Sequence, residues 1–409
     1  MASAHDHVFL ARQPIFDRQR KVFGYELLFR TADETRAGSV TIDENGAAIF
    51  SDAVLAFGLD TLTHGRPTFV KVSRDVLLNG LPSALPAQQV VIELPDDIDA
   101  SPEVRDACAD LRRKGYRIAL DHFTPNSDIA PLLNYADFLK ADVSGMEAVA
   151  NRPASEIRTT RPPVMVATHV DTAAEFAAAA KLGCASFQGD FIGRPVMRTT
   201  KDIPANRLVY MRLFHALQNP ELSPRELEEL IKPDASLVYK VLRAVNSAAF
   251  AQHSRVDSLR QALVLLGCGT IRQWSSLWAM SSFAVGAPDE LVAMSTVRGR
   301  TCEIVANNDF SGSFGDGFLL GMCSLLDAIL EVPMTTILAH LPLPEDADAA
   351  LRGDDNKSRQ LLDCVIAYEH GDWKRYVELA GQAAIDTNAV PSAYGKALQW
   401  YKQFQVANR

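Results

Sequence analysis

Short apolar or β-branched runs alternate with longer stretches of helical spacing through the first half of the chain, a pattern that predicts β/α architecture on a parallel sheet. The runs are Val8 to Ala11, Val22 to Phe29, Thr68 to Val72, Val90 to Leu94, Arg117 to Leu120, Phe138 to Lys140, Val164 to Ala167 and Ala185 to Phe187. Between them, Glu44 to Phe57, Pro102 to Lys114 and Thr172 to Leu182 are long enough for about three helical turns each. Gly115 and Gly183 stand where two of these helices would end. Eight runs predict a closed (β/α)8 barrel. An open doubly wound sheet uses the same alternation, and periodicity alone does not separate the two.

After Phe191-Ile192-Gly193-Arg194-Pro195 the strand-like runs stop, and Val196 to Asn206 reads as a linker. The remainder is helical. Leu259, Ala262, Leu263 and Leu266 share one helix face, with Gly267 placed to end that helix, and Leu237, Val241 and Val245 form a second stripe. Both stripes read as packing positions. The expected organisation is a barrel domain over 1–200 and an all-helical domain over 205–409.

Composition narrows the function. The 409 residues carry a formal net charge of -9, which disfavours DNA binding because a phosphate backbone needs local Lys and Arg excess to displace its counterions. A small anionic ligand in a local pocket is compatible with that charge. Cys108, Cys184, Cys268, Cys302, Cys323 and Cys364 form no C-x-x-C pair and read as reduced core thiols. The start MASAHDHVFLARQ lacks the pattern of a secretory signal. The best apolar stretch, Gly317 to Leu330, contains Asp327 and is shorter than the ~18 residues a membrane helix needs. A cytoplasmic protein without membrane attachment is expected.

In a β/α barrel the strands' C-terminal ends carry the chemistry, so polar residues that terminate apolar runs are the informative ones. Glu93 ends VVIEL, Asp121 follows RIAL, Lys140 closes DFLK, Gln188 follows ASF, and Glu26 interrupts VFGYELLF. Buried charges that converge on one mouth need a metal, mutual pairing or a charged ligand. For any single residue a satisfied ion pair explains the position as well as function does. Their repetition on successive strands favours a site.

From about Phe9 to Pro195 the chain resembles the EAL family. The opening ARQPIFDRQRKVFGYELLFR is similar to that family's QPI motif followed by Glu-Ala-Leu-Leu-Arg, here Glu26-Leu27-Leu28-Phe29-Arg30. VIEL at 91 to 94, ALD at 119 to 121, LKAD at 139 to 142 and FQGDFIGRP at 187 to 195 follow in the family's order. The resemblance implies hydrolysis of cyclic di-GMP by water activated between two Mg or Mn ions. It further implies Glu26, Glu93 and Asp121 as metal ligands, Arg30 as a phosphate contact, Lys140 as a water-positioning group and Gln188 at the mouth.

Three departures oppose that chemistry. The family's Val-Asn-Leu-Ser is Val70-Lys71-Val72-Ser73, which puts a cation without a lone pair where an Asn would ligate metal. Asp-Asp-Phe-Gly is Asp121-His122-Phe123-Thr124, an imidazole in place of a hard oxygen ligand. Ala-Glu-Gly-Val-Glu is Ala167-Thr168-His169-Val170-Asp171, with Thr168 in place of an acid. His122 and His169 leave a softer metal open. The expectation is that Lys71 pairs with Glu26, Glu93 or Asp121, giving a metal-free, inactive site. Mg or Mn enters only if the chain is an active enzyme after all. Arg30 and Gln188 keep cyclic di-GMP binding open, although carboxylates stripped of metal would repel its phosphates.

From about Pro204 the chain resembles the HDOD family, a helical relative of HD phosphohydrolases. The carrying segment is KPDASLVYKVLRAVNSAAFAQHSRVDSLRQALVLLGCGTIRQW at 232 to 274, in which Asn246 reads as a helix cap. The metal-binding His-Asp pair of HD enzymes is missing from Gly321-Met322-Cys323-Ser324-Leu325-Leu326-Asp327, and His215, His253, His340 and His370 are scattered. CVIAYEHGDWKRYVELA at 364 to 380, with Trp400 and Tyr401, reads first as packing on the helical domain. The leading expectation is a non-enzymatic bacterial adaptor that contacts a signalling partner through its helical domain, with outputs in motility, biofilm or virulence. A cyclic di-GMP receptor and an active phosphodiesterase are the alternatives.

Overall fold

The computed structural model describes residues 8–31, 58–80, 85–124, 127–150, 162–193, 205–217, 219, 221–246, 256, 258–284, 286–308, 317–341 and 343–407. At 8, 30, 31, 149, 150, 205–208, 283, 406 and 407 only the backbone is described. The chain forms two units, the first of Met1–Arg194 with Ile366–Glu378, the second of Pro195–Val365 with Leu379–Arg409.

The first unit is a closed barrel in the order β1 to β8, so the open-sheet alternative is excluded. Its strands are β1 Val8–Asp17, β2 Val22–Thr31, β3 Thr68–Lys71, β4 Val90–Leu94, β5 Arg117–Leu120, β6 Phe138–Ala141, β7 Val164–Ala167 and β8 Ser186–Gln188. Strands β2 to β8 run parallel, as the alternation predicts. Strand β1 does not: it is antiparallel to both β2 and β8. The connection Arg18 to Lys21 is too short for a parallel crossover, which leaves a hairpin. The Asp17 carboxylate holds that turn by accepting from the Gln19 and Lys21 amides, with Arg20 at φ 60°. β1 also extends beyond the Val8 to Ala11 run. It pairs with β2 along its length but with β8 only from Ile15 to Asp17, so its first half and the end of β2 form a two-stranded ribbon past β8.

Short helices surround these strands: α1 Leu59–Thr63, α2 Arg74–Leu78, α3 Pro102–Arg113, α4 Val143–Ala150 and α5 Ala173–Lys181. Ser73 caps α2, and Thr172 with Glu175 forms a capping box on α5, fixing where the chain leaves β3 and β7. The expected helix Glu44 to Phe57 lies outside the described residues, as does the expected linker Val196 to Asn206 except for its last two residues, which are helical.

The described helices beyond the barrel strands are α6 Ala205–Leu217, α7 Pro224–Ile231, α8 Ala235–Val245, α9 Leu259–Phe283, α10 Asp289–Asn308, α11 Gly317–Cys323, α12 Leu326–Leu330, α13 Met334–Leu338, α14 Glu345–Arg352, α15 Lys357–Glu369, α16 Trp373–Ala383 and α17 Ala389–Ala407, all in the second unit except the end of α15 and the start of α16. Leu237, Val241, Val245, Ala262 and Leu263 are buried. Gly267 (φ 78°, ψ 153°) interrupts α9 rather than ending it, because helix resumes on its far side. Asn246 closes α8: its side chain donates to the Leu242 and Val256 carbonyls and accepts from the Val256 amide.

The C-terminal segment departs from the expected 205–409 span. The end of α15 and the start of α16 group with the barrel, where Tyr368, Trp373 and Tyr376 bury themselves against Phe9. None of the six cysteines is in a disulfide, and among the described residues no helix is long and apolar enough to cross a membrane.

Candidate functional site

Alternation along the strands assembles the site. Ile15, Phe69, Val91, Ala119, Phe138 and Val166 form an apolar cluster inside the barrel. Two residues further toward the strands' C-terminal ends, on the same inward face, come Lys71, Glu93, Asp121, Lys140 and Thr168. On β2 and β8 that layer is Glu26 and Gln188. On β1, which runs the other way, it is Gln13, directly across from Glu26 in the ladder. A polar layer thus lies on top of an apolar one at the end of the barrel where catalysis is housed in this architecture.

The layer is a network of buried charge. Lys140 Nζ donates to Glu26 Oε2 at 2.6 Å and to Glu93 Oε1 and Oε2 at 2.9 and 2.8 Å. Lys71 Nζ lies 2.5 Å from Asp121 Oδ2, 3.5 Å from Glu93 Oε1 and 4.0 Å from Glu26 Oε1. His122 Nδ1 is 3.0 Å from Asp121 Oδ2, and its ring centroid is 6.0 Å from that of His169. Gln188 Nε2 donates to Gln13 Oε1 and Glu26 Oε2, both at 2.6 Å. Glu93 is fully buried and Lys140 is 1% exposed. Gln188 Oε1 and Thr168 Oγ1 are buried without a hydrogen-bond partner.

Opposing forces set the ionisation of these groups. Burial pushes Glu93 up to about 8, helped by the Glu26 charge, against the pull of both lysines. For Glu26 the lysines outweigh burial and hold the carboxyl below its usual value. Asp121 is held far below the usual range, because Lys140, the His122 hydrogen bond and Lys71 overcome its burial. Both lysines are held well above their ordinary value by the acids around them, burial notwithstanding. Three acids face two ammonium groups, and that excess of negative charge adds to burial in raising Glu93.

These side chains do not fit a pair of Mg or Mn ions. Each of the three carboxylates already accepts from an ammonium group, and Lys71 Nζ sits among them with no lone pair to offer. Among the described residues no cluster of three or more His, Cys, Asp or Glu side chains is arranged to hold an ion. His122 is engaged by Asp121 through Nδ1.

Glu26, Glu93, Asp121, Lys140, Lys71, His122, Thr168 and Gln188 therefore all stand at one mouth. Arg30 is paired with Phe9 in the ladder, but its side chain lies outside the described residues. Gln13 was missed by sequence reasoning, although it precedes the core residue Ile15 by one strand period. In the second unit, the stretch that lacks an HD pair is held by Arg298, whose Nη1 donates to Ser324 Oγ at 2.9 Å.

Comparison with known proteins matches residues 71–195 to the EAL domain and residues 203–338 to the HDOD domain. Over 401 residues the chain is 29% identical to the uncharacterized protein YuxH of Bacillus subtilis, covering 96% of this chain and 98% of that one. It is 30% identical over 401 residues to the cyclic di-GMP phosphodiesterase CdgJ of Vibrio cholerae, covering 96% and 92%. Among solved structures, Klebsiella pneumoniae BlrP1 in a calcium and cyclic di-GMP complex aligns with a TM-score of 0.34 at 21% identity, over 46% of this chain and 56% of that chain. Bacillus subtilis YkuI, with an EAL domain and bound to cyclic di-GMP and calcium, aligns at 0.33 and 17% over 63% and 71%. Structural likenesses this weak carry no functional weight.

Proposed function

We infer that this chain, which belongs to the family of proteins joining an EAL domain to an HDOD domain, acts in cyclic di-GMP signalling through a barrel that does not hydrolyse the dinucleotide. The observation that carries this reading is Lys71 Nζ, placed within ion-pair distance of Glu26, Glu93 and Asp121 together. Two-metal hydrolysis needs free oxygen ligands to bind the ions that activate water and neutralise the leaving oxygen. In this barrel those oxygens are committed to lysines. The HDOD domain then supplies the output by contact with a protein partner, its Ser324 tied to Arg298 where an HD enzyme would ligate metal.

Gln188 Oε1 and Thr168 Oγ1 favour a second reading, in which the barrel binds cyclic di-GMP without cleaving it. Both are buried acceptors left unpaired at the mouth, able to take hydrogen bonds from a ligand's amino or hydroxyl groups.

One experiment separates the readings: full-length protein incubated with cyclic di-GMP and Mg or Mn, with the linear product followed by chromatography, alongside calorimetric titration of the same protein. No turnover and no heat is the expected result. Binding without turnover selects the receptor. Turnover that disappears in Glu26→Ala overturns the proposal and assigns this chain the activity named for its Vibrio cholerae relative.

A further inference from the structure

Among the described residues no strand pairs with the first half of β1 on the side away from β2, because β8 reaches no further along β1 than Ile15, and this leaves that edge of the β1–β2 ribbon open. An open edge exposes backbone groups that call for partners. At Leu10 the partner is a side chain. The Leu10 amide donates to Tyr368 Oη at 3.1 Å, and the same hydroxyl donates to the Leu10 carbonyl at 2.7 Å. One phenol thus does what a neighbouring strand residue would do.

The segment around Tyr368 grips the ribbon at further points. Phe9 stacks on Trp373 with centroids 5.8 Å apart and meets Tyr376 edge-on at 5.5 Å. Gly371, at φ 69°, lies so close to β2 that a Cβ there would stand 2.6 Å from Leu28 Cδ1. His370 Nε2 is 3.6 Å from Asp190 Oδ1, in the turn that follows Gln188. By the two-residue period, Phe9 shares the face of Gln13 on β1, and Leu28 shares the face of Glu26 on β2. The segment therefore packs on the face of the ribbon that continues the site layer. It touches β1, β2 and the turn after β8, the three elements that bring Gln13, Glu26 and Gln188 together.

We propose that Ile366–Glu378 is an intramolecular strap that closes the edge of the β1–β2 ribbon and sets the position of the Gln13–Glu26–Gln188 corner. The strap is the end of α15 and the start of α16, and each of these helices has its remaining residues in the second unit. A change in those helices is carried along continuous backbone to the corner of the barrel mouth. The device stands whether or not the barrel binds a dinucleotide, because it rests on contacts within the barrel unit.

The test uses the full-length chain and hydrogen exchange followed by NMR. The Leu10 amide has Tyr368 Oη as its acceptor, so Tyr368→Phe is expected to speed its exchange by about tenfold, with Val91 to Glu93 of β4 unchanged. The Gln188 side-chain amide resonances are expected to shift in Tyr368→Phe, and to shift further in Gly371→Val, which forces the strap from Leu28. In the wild type under mild denaturant, Leu10 is expected to open together with the amides of Leu379 to Ala383 in α16. Unchanged Leu10 exchange in Tyr368→Phe overturns the strap. Faster exchange with a fixed Gln188 resonance reduces the segment to an edge cover and overturns its control of the corner. Opening of Leu10 with the barrel core rather than with α16 overturns the link along the helices. Should Gly371→Val fail to fold, Tyr368→Phe, which removes one oxygen, decides the question alone.

Discussion

Lys71 Nζ lies 2.5 Å from Asp121 Oδ2 and within ion-pair distance of Glu93 and Glu26 as well. The side chain comes from β3, next to β4 in the ladder, where Lys71 pairs with Glu93. A cation fixed in that register satisfies the acids at every moment and is not exchanged as a bound metal would be.

Replacing that cation by an oxygen ligand is expected to open the site to metal. Lys71→Asn removes the ion-pair partner nearest Asp121, leaving His122 and the more distant Lys140, and returns the side chain to the type the EAL motif carries. Calorimetric titration with Mn is expected to show no binding to the wild type and measurable binding to Lys71→Asn, strengthened at least about tenfold when His122→Asp is added. Equal Mn binding by the wild type and both variants would show that Lys71 does not exclude the ion.

Lys140 is the other half of the cluster, and its removal is expected to cost more than any surface change. Lys140→Met leaves Glu26 and Glu93 buried without their shared donor. Breaking one partner of a buried pair costs about 3–5 kcal/mol. Urea denaturation is expected to show that loss in Lys140→Met and a partial recovery in Lys140→Met combined with Glu93→Gln and Glu26→Gln, where no uncompensated charge stays behind. No loss in the single variant would mean that the carboxyls are neutral in the fold.

Stability is expected to depend on pH in two opposing limbs. Glu93 rises from 4.5 when unfolded to about 8 when folded. The folded state therefore binds the proton more tightly, and stability falls as pH climbs from 4.5 through 8. His122, raised by its hydrogen bond to Asp121, adds to the same fall above its unfolded value of 6.5. Glu26 and Asp121 are lowered, so their contribution is lost as pH drops below about 4. Unfolding free energy measured at pH 5, 7 and 9 is expected to decline by a few kcal/mol in the wild type and much less in Glu93→Gln. Parallel declines in the two proteins would place the proton elsewhere.

The features legible in the sequence and those hidden in it fall on two sides of one physical divide. Strand alternation has a period of two, so the polar residues closing or following apolar runs announced Glu93, Asp121, Lys140 and Gln188 without any coordinates, whereas Lys71 and Thr168 stood out only against the EAL motifs. The reversal of β1 was not announced, because an apolar run carries no direction. Its signal was the short Arg18-to-Lys21 connection, which forbids a crossover. Gln13 was hidden for the same reason, since with β1 reversed the site residue precedes the core residue instead of following it. The contact of Tyr368 with Leu10 joins positions at opposite ends of the chain, and no local pattern at either end reports it. The segment 364 to 380 read first as packing on the helical domain, whereas Trp373 and Tyr376 pack against Phe9 in the first unit, because helical aromatics carry no mark of the partner they meet.

Gly189 completes the corner, and its replacement is expected to be the most disruptive single methylation in the barrel. It follows Gln188 with φ 148° and ψ -174°, a region that residues with a Cβ avoid. A Cβ at this position would lie 2.2 Å from the Val170 carbonyl oxygen and 2.5 Å from the Val170 nitrogen. Val170 itself is held to the end of β8, its amide donating to the Gln188 carbonyl at 3.0 Å and its carbonyl accepting from the Phe191 amide at 3.1 Å. Neither backbone can retreat without giving up those bonds. Gly189→Ala is therefore expected to lose about 3 kcal/mol or more in urea denaturation, from backbone strain and broken turn hydrogen bonds together. The Gln188 side-chain amide should lose its resolved resonance as the bonds to Gln13 and Glu26 go. A Gly189→Ala protein with wild-type stability and an unmoved Gln188 resonance would show that the turn has room the distances deny.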